Sequence, residues 1–146
     1  MEIPLYVPGI HTVTEPDLKI RAVDPFPGSI RRPLLFAGLT DWLEALRATG
    51  ASGKCWLDGS FLTDKPEPND IDLVVFPMFA AVPSPAVQTR VQELFNQAAV
   101  KAKYRLDVYF VHPNAANLVQ MTSYWRGWFG FCRDGATAKG IAEVIL

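Results

Sequence analysis

CWLDGSFLTDKPEPNDIDLVVF, residues 55–76, holds the pattern that decides the fold. Cys55–Leu57 predicts a short strand and Gly59-Ser60 a tight turn. A proline-rich loop follows, and Ile71–Phe76 predicts a second strand with two aspartates at its head. Asp70 and Asp72 are two positions apart, so on a strand they face the same way. Two carboxylates side by side repel unless a positive charge lies between them. Leu73-Val74-Val75-Phe76 is an unbroken apolar run, the pattern of a strand covered on both faces. Packing gives no reason for two acids at the mouth of such a strand, whereas a divalent cation with hard oxygen ligands does. Nine residues separate Ser60 from Asp70. The Gly59-Ser60 turn offers backbone N–H groups and a hydroxyl, which suits a phosphate. Asp58 reads as a strand-end residue that braces this turn.

A third acid comes later. Asp107 interrupts the otherwise apolar run from Leu106 to Val111 and shares a strand face with Tyr109. An unpaired acid there is costly if buried. A metal, or a solvent-filled cleft beside the first two acids, removes the cost. Three carboxylates so placed repel, so Asp107→Asn is expected to stabilise the metal-free protein.

The set Gly59-Ser60, Asp70-Ile71-Asp72 and Asp107, in that order, resembles the nucleotidyltransferase superfamily that includes DNA polymerase beta. The layout also resembles short bacterial and phage nucleotidyltransferase-like proteins. That likeness extends to Pro8-Gly9-Ile10-His11 near the start and Lys139-Gly140-Ile141 near the end. The resemblance implies a nucleotidyltransferase fold. It implies transfer of a nucleoside monophosphate from an NTP, ATP first among them, to a hydroxyl of a protein or tRNA acceptor. The systems implied are of the toxin–antitoxin or phage-defence kind. Asp70, Asp72 and Asp107 would then be catalytic and hold Mg²⁺ or Mn²⁺, with Asp107 nearest the nucleophile, and Gly59 and Ser60 would bind the triphosphate. One departure stands out: many members open a full helix after the turn, but here Pro66 and Pro68 leave room for about one turn. The short chain also suits a second reading, a non-catalytic nucleotide- or partner-binding module on the same fold.

Length and composition set the frame. At 146 residues, with 49% hydrophobic and 20% charged residues, the chain suits one α/β domain with one good core. Within that domain, 1–50 reads as an N-terminal extension and helix, 55–111 carries the motifs, and 114–146 a C-terminal helix and strand. The expected architecture is a small mixed sheet with helices mainly on one face. A net charge of −1 gives no bulk attraction to nucleic acid or membrane, and tilts the acceptor toward a protein or small molecule. No apolar run approaches the ~18 residues of a membrane span. Cys55 and Cys132 lack metal spacing and read as buried thiols in a reducing compartment, so the expected location is cytoplasmic.

Along the chain, residues 1–10 read as extended. Thr14 with Asp17 predicts a helix start, running to Ala22, and 24–28 a loop. Leu35, Leu39, Trp42, Leu43 and Leu46 form one helical stripe that ends before Gly50. Ser84-Pro85 starts another helix, with Val87, Val91, Leu94, Phe95 and Ala98 as its stripe, ending near Lys103. Lys101 and Lys103 suit its negative end. Residues 114–129 predict a helix, Asp134-Gly135 a turn, and 138–146 a strand.

Among basic residues, Arg133 and Lys139 flank that turn and are candidates for holding phosphate charge, with Lys65 behind them. Arg31-Arg32 reads as a solvated helix start before it reads as a nucleic-acid contact. Tyr124, Trp125, Trp128 and Phe129 read as core packing, with base stacking as the functional alternative. His11 reads as structural.

Overall fold

The apolar runs of the sequence become the middle of a five-stranded sheet in a computed structural model that describes residues 2–146. In chain order the elements are β1 (Gly9–Thr12), α1 (Glu15–Ala22), α2 (Arg31–Ala48), β2 (Ser52–Asp58), a 3-10 turn (Ser60–Leu62), β3 (Ile71–Met78), α3 (Pro85–Leu94), α4 (Gln97–Tyr104), β4 (Leu106–Phe110), α5 (Leu118–Phe129) and β5 (Gly140–Ile145). The strands lie in the order β1-β5-β2-β3-β4. β1 is parallel to β5 and β3 to β4, while β2 is antiparallel to both of its neighbours.

This is the mixed α/β class expected from the sequence, with helices mainly on one face. The larger core lies between α1–α4 and the sheet: Leu35, Leu39, Trp42, Leu43 and Leu46 are fully buried against Leu57, Leu73, Val75 and Leu106. Each such side chain contributes about 1.5–3 kcal/mol by leaving water. The second core lies on the other face, where Trp125 and Phe129 of α5 cover Trp56, Val74, Phe76 and Ile141. β3 is thus covered on both sides, as its unbroken apolar run requires.

Local signals behave as their chemistry dictates. Thr14 and Asp17 form a reciprocal capping box, each side chain accepting from the other's backbone N–H at 3.2 Å. Ser84 caps α3, with Pro85 at its first position. Pro66 and Pro68 hold the post-turn helix to the single turn Ser60–Leu62.

Three expectations are corrected. The single helix from Ser84 to Lys103 is two. Asn96 accepts from the Ala99 N–H at 3.0 Å and starts α4 afresh, which turns Ala98 outward and puts Val100 in the core. Residues Gly9–Thr12 form a fifth strand rather than merely an extended segment, and residues 3–5 run alongside 62–64. Arg32 is not solvated. It is fully buried and donates to the carbonyls of Ala22, Phe61, Thr63 and Lys65 at 2.5–3.2 Å. Its guanidinium also lies 3.8 Å from the centre of the Phe26 ring. Burial lowers its pKa to about 10 against the pull of Glu67 and Asp64, so it stays charged at neutral pH. Arg32 therefore staples the start of α2 to the loop that leaves the Gly59-Ser60 turn. Of the two free cysteines, Cys55 is fully buried, and burial drives its thiol up to about 12; Cys132 is only half-buried. No helix among the described residues is long and apolar enough to cross a membrane.

Candidate functional site

Strand pairing alone assembles an acidic row. Asp58 of β2 pairs with Asp72 of β3, and Asp72 pairs with Asp107 of β4. All three occupy the sheet face that α5 covers further along, since Trp56, Val74 and Tyr109 stand two positions from them on the same strands. Asp70 precedes β3 and joins the row from the side. Directly opposed like charges destabilise a sheet, so the chain must offset them.

It does so at both ends of the row. Lys139 pairs with Asp58, and both are buried. Burial raises the pKa of Asp58, and Lys139 opposes that rise. Lys101 of α4 donates to Asp107 at 2.5 Å and to Asp70 at 2.8 Å. Burial works against its charge, but the hydrogen bonds to Asp107 and Asp70 together with their negative charges raise its pKa. Asp72, in the middle, has no cation of its own among the described residues. Burial, followed by repulsion from Asp70, Asp107 and Asp58, raises its pKa from 3.8 to about 7.

A metal fits this arrangement. Asp70, Asp72 and Asp107 each offer a carboxylate oxygen, and these oxygens lie within 4.8 Å of one another. Hard oxygen ligands suit Mg²⁺ or Mn²⁺, and a divalent ion would relieve the carboxylate repulsion that adds to burial in raising the pKa of Asp72. The ammonium of Lys101 already occupies part of that role, as a monovalent counter-ion to two of the three.

The turn beside the acids needs its glycine. Gly59 has φ +91°, and a Cβ there would stand 2.6 Å from Oδ2 of Asp72. Both facts exclude a side chain and leave the backbone open to close approach by a ligand. Gly59, Ser60 and Asp72 form one side of an open cleft of about 1210 Å³; Trp128, Phe131 and Arg133 stand in its walls.

The expected site residues therefore divide. Asp70, Asp72 and Asp107 converge, and Gly59-Ser60 adjoins them. Arg133 is exposed on the cleft wall and forms no ion pair among the described residues, whereas Lys139 lines the cleft with its charge committed to Asp58. Lys65 lines it too, within 3.9 Å of Glu2. His11 contacts the Val7 carbonyl at 2.7 Å and leans on Tyr6, a structural role. The aromatic cluster splits: Trp125 and Phe129 are core, while Tyr124 and Trp128 are exposed. Two participants escape a sequence reading. Lys101 shows there only as a helix-end charge, and Asp58 only as a brace. The signal that points to Lys101 is the need of two neighbouring acids for a cation.

The family model described as Family of unknown function (DUF6932) matches residues 2–145. No curated protein and no solved structure matches the chain.

Proposed function

The chain belongs to the DUF6932 family over nearly its whole length, and we propose that it is a metal-dependent nucleotidyltransferase. It would move a nucleoside monophosphate from an NTP, ATP first among them, to a hydroxyl of a protein or RNA acceptor. The observation that carries this reading is the convergence of Asp70, Asp72 and Asp107 within 4.8 Å beside a turn whose glycine leaves its backbone bare. Asp70 and Asp72 would hold the NTP–metal complex, and Asp107 would face the attacking hydroxyl. Mg²⁺ or Mn²⁺, when bound, supplies charge neutralisation for the phosphates and a lowered pKa for the hydroxyl. Gly59 and Ser60 would present backbone N–H groups to the triphosphate, with Arg133 as a nearby cation. The hydroxyl oxygen bonds to the α-phosphorus, the bond to the β-phosphate breaks, and pyrophosphate leaves. The hydroxyl proton passes to Oδ of Asp107 and on to solvent. Two unpaired thiols suit a reducing compartment such as the cytoplasm, and a toxin–antitoxin or phage-defence setting would supply the acceptor.

The test is transfer of label from α-labelled NTP, with Mn²⁺, to any acceptor in cell extract. Asp107→Asn should keep most NTP affinity and lose transfer by at least ~10²-fold, the range for loss of a proton-handling or metal-orienting group. Undiminished transfer by that variant would remove Asp107 from the site. One observation favours a second reading, a nucleotide-binding module without chemistry: Lys101 already neutralises Asp70 and Asp107. NTP binding by wild type with no transfer to any acceptor would select it.

A further inference from the structure

The cleft has an aromatic wall that the phosphate chemistry leaves without a task. Trp128 is 53% exposed and Phe131 42% exposed, although both stand in its lining. Trp128 is not loose. Its ring stacks on Trp125 at 5.2 Å with 29° between planes, and it leans on Tyr109 at 6.2 Å. Trp125 in turn is buried against the sheet, as part of the second core. One face of the Trp128 indole is therefore backed by a fixed ring, and the exposed remainder opens on the cleft. Tyr109 stands two residues from Asp107 on the same face of β4, about 7 Å along the strand. The indole thus lies along β4 from the acids, in the lining of the same cavity as the phosphate turn and Asp72.

We propose that Trp128 is the stacking platform for the base of the nucleoside triphosphate, with Phe131 as a second apolar wall. This rests on the reading of Gly59-Ser60 and the three acids as the triphosphate and metal site. A π face accepts every base, so the platform favours purines over pyrimidines by contact area and does not tell adenine from guanine. Pre-stacking on Trp125 fixes the indole before the ligand arrives, so little side-chain freedom is lost on binding.

Calorimetry compares ATP with inorganic tripolyphosphate, both with Mn²⁺, on wild type, Trp128→Ala and Trp128→Phe. Wild type should prefer ATP by about 5- to 150-fold, the range for one base stacked on one aromatic ring. Trp128→Ala should lose that preference with tripolyphosphate binding unchanged, and Trp128→Phe should keep most of it. Tripolyphosphate binding with no ATP preference in wild type, or ATP binding by Trp128→Ala equal to wild type, would overturn the platform and leave the phosphate site standing. Failure of both ligands to bind would overturn the platform and the metal–phosphate reading together.

Discussion

Asp72→Asn should stabilise the metal-free protein, and by an amount that depends on pH in a defined direction. Asp72 sits between two acids that have cations while it has none, and its pKa rises from 3.8 to about 7. Each decade of proton affinity is worth about 1.4 kcal/mol. Roughly three decades give about 4 kcal/mol. The raised value means that the folded protein keeps the proton after the unfolded chain has released it. Stability is therefore intact below about pH 4, is lost as pH rises through the window from about 4 to 7, and stays lost above it. Asparagine carries no charge and can still donate to Asp107. Its advantage over aspartate should be roughly 1.6 kcal/mol at pH 5 and roughly 4 kcal/mol at pH 8. At this chain length that is a gap in Tm of about 12 °C at the higher pH. The assay is thermal melting of both proteins in a chelator from pH 5 to 8.5, repeated with Mn²⁺. The ion should raise wild type and leave the variant nearly unmoved. A variant less stable than wild type at pH 8, or a gap that does not change with pH, would refute the picture of an uncompensated central acid.

Arg32→Met should cost roughly 4 kcal/mol, because it strands three buried carbonyls and a half-buried one at once; denaturant melts would read it, and Arg32→Lys, with fewer donors, should recover only part. Lys101→Met should tighten Mn²⁺ about two- to five-fold by calorimetry if the lysine competes with the ion for Asp70 and Asp107, and a tenfold loss instead would mean that it organises them. Gly59→Ala should lower Tm by about 3–9 °C, the cost of a side chain at φ +91°; a weaker hold on tripolyphosphate should accompany it, and unchanged binding would make the turn only a turn.

How much of this could be read from the sequence depends on range. Strands β3 and β4 and their acids were legible because an apolar run broken by one carboxylate is a local pattern. Caps were legible for the same reason: Thr14, Asp17 and Ser84 act within three residues. The break at Asn96 hides behind a helical stripe that runs on through it, although an asparagine three residues before Ala99 is itself a cap signal. β1 carries no apolar alternation and exists through its hydrogen bonds to β5, more than a hundred residues away. Arg32 needs acceptors from two distant segments before its burial makes sense, and no window of sequence contains them. Lys101 is the same case within the site. The side chain lies six residues before Asp107, but its contact with Asp70 depends on α4 and β3 being brought together in space.

The staple made by Arg32 also bears on how fast the cleft can fill. Loops that close over nucleotides commonly do so as a separate, slower event after encounter. Here the segment from Phe61 to Lys65 is tied to the first turn of α2 through its own carbonyls. Such a segment cannot swing as a flap without first exposing a buried guanidinium. Mixing experiments should therefore show a single fast phase that scales with ligand concentration, with no later isomerisation from this side of the cleft. A gate, in this architecture, has to come from the opposite rim.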